Sequence, residues 1–264
     1  MSIQQFAFRR RKPGNLICAL LLLIVFSILA PAQPFPGKEW TKADKPESAG
    51  FFSRRLAALT PLLQTLDTSA MLVVSKGQVV FEYGDLAKLS YLASCRKSVL
   101  AMLYGNYVAS GKIPLSKTLR ELNMDDVGGL LPRELDATIE NLITARSGVF
   151  HPASYPGDAR ESAPPRGSQK PGTYYLYNNW DFNAAGAVFE KLTGRDIYDA
   201  LEADLAQPVG MQDFDRSLQK KEGDSKVSIY PAYPMHLSTR DMARIGYLML
   251  REGNWNGRQL VPKD

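Results

Sequence analysis

The chain has 264 residues, enough for one large domain or two small ones, and its 45% apolar and 22% charged content is that of a soluble globular protein. The formal charge is +5, but Arg9, Arg10, Arg11 and Lys12 supply four positive charges and residues 1–32 hold no acidic residue, so the remainder carries +5 − 4 = +1. That balance argues against a nucleic-acid binder, which needs a basic patch or stripe on the folded domain.

The four basic residues precede an apolar run from Leu16 to Ala30, and Ala30-Pro31-Ala32 places small residues at the spacing of a processing site. Basic, apolar and small segments in that order predict a secretory signal peptide over residues 1–32. Leu16–Ala30 is 15 residues, short of the roughly 20 that span a bilayer. A periplasmic or secreted chain, free of the membrane after cleavage, is therefore expected. Cys95 would then be the one cysteine left, so no intrachain disulfide is expected and the domain must rely on its core.

Residues 33–49 hold Pro34, Pro36 and Pro46 and predict an extended lead-in to a domain spanning 50–264. From Phe51 to Leu66, Phe52, Leu56, Leu59, Leu63 and Leu66 recur at helical spacing, with Pro61 set to break or kink the run. Ala70–Ser75 and Gln78–Tyr83 are β-rich and flank Lys76-Gly77, a hairpin signal. An apolar helical run then follows Ser94 and stops near Gly111. After a short mixed segment over Ile113–Leu122, Ala137–Ala145 predicts a helix ending near Arg146-Ser147-Gly148. Phe150–Thr173 turns to Pro, Gly, Ser and charge, a long loop of the kind that often carries function. Helices are predicted from the Tyr174 region to Gly194 and over Asp196–Leu205, the latter closed by Pro208–Met211. Lys220–Ser228 is polar and expected to be exposed. Ser238 with Asp241 resembles a capping box opening a helix through Leu250.

Chemistry concentrates at Ser94-Cys95-Arg96-Lys97. A serine and a lysine three apart at a helix start share one face, so hydroxyl and amine point into the same space. A serine hydroxyl needs a neighbouring base to become nucleophilic, and a lysine serves as one only when burial or positive charge lowers its pKa. Arg96 and the positive end of the helix dipole act in that direction. About eighty residues on, Tyr177-Asn178-Asn179 gives a Tyr-x-Asn set at a loop-to-helix junction.

Ser94-x-x-Lys97 followed by Tyr177-x-Asn179 resembles the serine β-lactamase superfamily, in its class C branch with esterase and penicillin-binding relatives. Flanking blocks are similar too: Leu142–Gly148, Pro171–Gly194, Pro208–Met211, and Ser238–Arg244 followed by Gly253–Gly257. The resemblance implies an α+β, β-lactamase/transpeptidase-like fold, an antiparallel sheet flanked by helices with an all-α subdomain. It also implies acyl-enzyme chemistry. Ser94 is the implied nucleophile and Lys97 the base or its electrostatic partner. Tyr177 passes a proton to the leaving group, and Asn179 holds Lys97 and substrate. The Ser94 N–H, at a helix start, suits half of an oxyanion hole. Asn179 also fits a helix N-cap.

Cys95, beside the serine, invites a thiol reading, but His151 and His236 stand at no diagnostic spacing; Cys95 reads as a packing residue and both histidines as structural. Trp180, Tyr174 and Tyr175 read as packing as well. No metal-ligand cluster or phosphate loop implies a cofactor. The expected partner is a small-molecule or peptide-like carbonyl substrate, met by a monomer. The run Ser94–Ser98 resembles the esterase and amide-oligomer hydrolase branch more than the β-lactamases. The family's third motif, a Lys-Thr-Gly or His-x-Gly triplet on a strand, has no counterpart after Asn179. The sequence thus reads as lacking the C-terminal strands, with a weakened oxyanion hole. The alternative function is an incompetent hydrolase domain acting as a binding or envelope protein.

Overall fold

Pro61 decides the first helical segment. It has no N–H to donate, and its ring collides with the carbonyl four residues back, at Ala57. The run accordingly splits into α1 (Ser53–Ala57) and α2 (Leu59–Gln64). In this computed structural model residues 35–155 and 162–263 are described; the signal segment falls outside them, as does part of the long loop.

The hairpin forms where its sequence placed it. Strand β1 (Ala70–Ser75) pairs antiparallel with β2 (Gln78–Gly84) around Lys76-Gly77, both residues at positive φ. The lead-in is more than a spacer: Val79 N–H donates to Thr41 O and Ala43 N–H to Val79 O, both at 2.9 Å, so it runs beside β2. A short strand β3 (Leu89–Tyr91) follows, then helix α3 (Cys95–Ala109). The next helix, α4, is only Ile139–Ile143, shorter than predicted, with Thr138 and Asn141 closing a capping box at its start.

Helix α5 (Asn179–Thr193) ends at Gly194, whose φ of 72° supplies the left-handed cap. It lies in the core: Trp180, Ala184, Ala185, Val188 and Phe189 are fully buried, and Tyr104 of α3 donates its hydroxyl to Ala185 O at 2.6 Å. Asp196 caps α6 (Ile197–Leu201), which continues through a π turn at Glu202–Ala206 into α7 (Gln207–Val209).

Strand β4 (His236–Ser238) pairs antiparallel with β3, leads into α8 (Thr239–Leu250), and is followed by the two-residue strands β5 (Asn254–Trp255) and β6 (Arg258–Gln259). Ser238 caps α8, accepting from Asp241 N–H at 3.2 Å. Asp241 does not return the favour: its carboxylate accepts from Gln212 N–H (2.7 Å) and Asp213 N–H (2.9 Å) and anchors that turn instead. The described residues thus form three two-stranded antiparallel sheets among helices, an α+β arrangement with a largely helical core.

Gly186 shows how tightly this core is packed. A Cβ there would come within 2.8 Å of the Tyr233 ring, closer than carbon atoms tolerate. Gly186→Ala should cost about 1–3 kcal/mol, read as a lowered urea midpoint with an unchanged slope.

Candidate active site

Ser94 is presented by a corner. Leu92, buried behind β3, donates its N–H to Met235 O at 2.9 Å, and Cys95 N–H returns to Leu92 O at 3.0 Å. Between them Ala93 sits at φ 46°, a left-handed conformation that costs an alanine roughly 1 kcal/mol. Ser94 emerges exposed at the N-terminal end of α3.

One turn on, Lys97 is 7% exposed. Its Nζ lies 3.1 Å from Ser94 Oγ and donates to Asn179 Oδ1 at 2.8 Å. The same ammonium stands 4.8 Å from the Tyr177 ring centre and 5.2 Å from that of Phe182. Ser94, Lys97, Tyr177 and Asn179 are therefore brought together, although the chain separates Lys97 from Asn179 by 82 residues.

Tyr177 and Asn179 owe their places to the residue between them. Asn178, not Asn179, caps α5: its side chain accepts from Asp181 N–H at 2.8 Å and donates to Leu176 O at 2.8 Å. With the capping task met, Asn179 is available to Lys97. The approach to the helix is held from the other side. Leu176 N–H donates to Ala145 O at 3.0 Å and Gly172 N–H to Arg146 O at 2.7 Å. Ser147 Oγ donates to Asp181 Oδ1 at 2.5 Å.

The electrostatics fall on Tyr177. Partial burial raises its pKa, but hydrogen bonding with Ser94 and Lys97 and the charges of Lys97 and Arg96 outweigh that, leaving the phenol below its usual value. Tyr177 is 41% exposed and lines a cleft, so a substrate can reach it. The group opens onto a cleft of about 380 Å³, walled by Ile143, Ala145, Tyr175 and Phe182 and floored by Ser98 and Ala101 of α3. In this arrangement a hydroxyl, an amine and an acidified phenol face one open space, as proton transfer to and from an attacked carbonyl requires.

Other candidates fall elsewhere. Cys95 is exposed, not packed, because in the first turn Arg96 and Lys97 take the inward positions. Tyr175, expected to pack, is 57% exposed at the cleft, with the Arg146 guanidinium 5.7 Å from its ring. Trp180 is core, donating its indole N–H to Asp126 at 2.6 Å. His151 is buried beside Asp126 (3.4 Å) and Trp180, and His236 lies in β4 against the Tyr91 ring. Part of the long loop is pinned by Arg166, which reaches the buried Glu134. Lys220–Lys226 is exposed as expected, while Ser228 is buried. Among the described residues no group of His, Cys, Asp and Glu is placed to hold a metal ion. Arg96 and Asn183 had escaped as a pair, since nothing in their spacing relates them; they meet across α3 and α5 at 3.2 Å.

The Beta-lactamase family model matches residues 59–263. Among solved structures, a putative 6-aminohexanoate-dimer hydrolase from Bacillus anthracis is 21% identical, with a TM-score of 0.63 over 88% of this chain and 68% of that one. A putative beta-lactamase from Bacteroides dorei is 18% identical at a TM-score of 0.59, covering 81% and 67%. A penicillin binding protein from Bacillus halodurans is 16% identical at a TM-score of 0.55, covering 79% and 76%. At such identities the likeness is one of fold. No curated protein matches the chain.

Proposed function

Since the chain belongs to the beta-lactamase family, a family of serine hydrolases, we propose that it is an exported hydrolase that forms an acyl-enzyme on Ser94. The observation that carries this reading is the approach of Lys97 Nζ to Ser94 Oγ at 3.1 Å, with the amine fixed by Asn179. Ser94 Oγ attacks the substrate carbonyl carbon and gives up its proton to the Lys97–Tyr177 pair. The open Ser94 N–H receives the developing oxyanion. Tyr177 then hands the proton to the leaving oxygen or nitrogen as its bond to carbon breaks. Water attacks the acyl-enzyme along the same path reversed, the pair taking a proton from water and returning it to Ser94 Oγ.

Esters and amides are favoured over β-lactams as substrates. The supports are the Ser94–Ser98 run and the similarity in fold to a protein described as a putative 6-aminohexanoate-dimer hydrolase. Action in the periplasm or outside the cell fits the basic-apolar-small segment over residues 1–32. No helix of the described residues is long and apolar enough to cross a membrane.

The test is a fluorophosphonate probe, which reacts only with an activated serine, followed by mass spectrometry of the labelled peptide. Label on Ser94, together with faster turnover of p-nitrophenyl butyrate than of a chromogenic cephalosporin, is the expected result. Folded protein that takes no label would instead favour a binding role. Tyr177→Phe keeps the ring against Lys97 but removes the proton carrier; it should lower kcat about 10²-fold or more with little change in KM.

A further inference from the structure

Among the described residues two arginines, Arg96 and Arg244, are buried, and they are housed differently. Arg244 donates to three backbone carbonyls, Val209 O, Gly37 O and Lys38 O, between 2.7 and 3.0 Å. Arg96 is 2% exposed and donates from Nη2 to Asn183 Oδ1 at 3.2 Å. Its Nη1 is buried without a partner, and its guanidinium lies 4.2 Å from the Tyr233 ring centre. No carboxylate pairs with it among the described residues. Buried charges are ordinarily paired, because leaving water costs several kcal/mol per ion.

The groups around it do not neutralise it. Burial drives the phenols of Tyr233 and Tyr198 well above their usual pKa, against the pull of Arg96, so both stay uncharged. Asn183 is neutral. Arg96 stands between Ser94 and Lys97 in sequence, on the turn of α3 that also presents Lys97. Its link to Asn183 repeats, one turn further along α5, the link from Lys97 to Asn179. An uncompensated cation in a low-dielectric interior acts over longer distances than one in water.

We propose that Arg96 is a positioning residue of the acyl-transfer centre: its buried, unbalanced charge readies Tyr177 to accept the Ser94 proton, while its bond to Asn183 aligns α5 so that Asn179 meets Lys97. This rests on the reading of Ser94 as nucleophile. The Lys97 ammonium lies 4.8 Å and the Phe182 ring 5.9 Å from the Tyr177 ring centre. Ser94 and Lys97 hydrogen-bond its phenol, the charge of Arg96 acts on it as well, and Tyr233, which interacts with it electrostatically, is neutral. With Arg96 neutralised, Lys97 is the one remaining cation in that set. Phenolate then costs more, so Tyr177 loses its proton at higher pH.

The rate of Ser94 labelling by a fluorophosphonate, followed against pH in the full chain, tests the proposal. In Arg96→Gln and Arg96→Met the acidic limb should move up by about one pH unit, a labelling rate about tenfold lower on that limb. Arg96→Lys, which keeps the charge, should leave it within about 0.3 unit. Circular dichroism establishes which variants fold. A limb unmoved in a folded neutral variant overturns the proposal, as does an equal shift in Arg96→Lys, which would make the effect one of shape. Failure of both neutral variants to fold also overturns it, assigning Arg96 to the core. If the wild-type chain takes no label, the hydrolase reading fails first and this proposal with it; if it labels and the limb stays put, only this proposal fails.

Discussion

Lys97→Met should lower kcat/KM for p-nitrophenyl butyrate by about 10³–10⁴-fold, the contribution of a positioned proton acceptor. Methionine matches the lysine stem in length and suits a site that is 7% exposed, so the fold should survive; the change removes only the amine at 3.1 Å from Ser94 Oγ. It also leaves Asn179 Oδ1 without the donor at 2.8 Å, which separates two effects. Asn179→Leu should cost less than Lys97→Met, since it takes away the amine's orientation and spares the amine. Ser94→Ala should remove turnover at least as completely as Lys97→Met. The double variant should be no worse than Ser94→Ala alone, because groups acting on one proton fail as a unit. Steady-state kinetics checks this. Retention of more than a tenth of wild-type kcat/KM in Lys97→Met would refute its assigned part.

The second large effect concerns stability. Asp126 is 7% exposed, and its carboxylate gathers three segments. Trp180 Nε1–H of α5 donates to it at 2.6 Å, Ser228 Oγ–H at 2.5 Å, Ile229 N–H at 2.8 Å and its neighbour Val127 N–H at 2.7 Å; His151 Nδ1 lies 3.4 Å away. Asp126→Ala takes the shared acceptor from all of these donors, of which Trp180 and Ser228 are buried. Removing one partner of a buried charged network costs about 3–5 kcal/mol. For a domain of this size that is a fall in Tm of about 10 °C, readable by thermal circular dichroism. Asp126→Asn keeps one acceptor oxygen but points an amide N–H₂ at donors, so it should fall between wild type and Asp126→Ala. A loss under about 1 kcal/mol in Asp126→Ala would show that the donors find other partners.

What was legible in the sequence was local. Pro61, Gly194, Asp196 and Ser238 each fixed a helix boundary through their own backbone chemistry. Lys76-Gly77 marked the hairpin. Ser94 with Lys97 stood out because three residues on a helix are a spatial distance, and Tyr177 with Asn179 because they sat at a helix entry. What escaped depended on distant partners. Strands β3 and β4 are three residues each, too short for alternation to show, and exist only as each other's partner. Asn178 took the cap that Asn179 also fitted. Asp241 turned from its own helix to the 212–213 backbone. Cys95 faced outward because its neighbours claimed the interior. The Asp126 network and the Arg96–Asn183 bond join segments about a hundred residues apart, a relation no period or spacing encodes.

The pairing of Leu89–Tyr91 with His236–Ser238 has a consequence for the order in which the molecule is completed. The corner that presents Ser94 is backed on one side by Met235 O and β4, so it cannot set until the segment around residue 235 is available. The lead-in obeys the same schedule, since Gly37 and Lys38 give their carbonyls to Arg244, the former 207 residues away. Contacts of such separation form slowly. On the proposed export route, a chain crossing the membrane in extended form would carry the Ser94 corner unassembled until β4 had crossed. The proposed nucleophile would then take its place only on the far side.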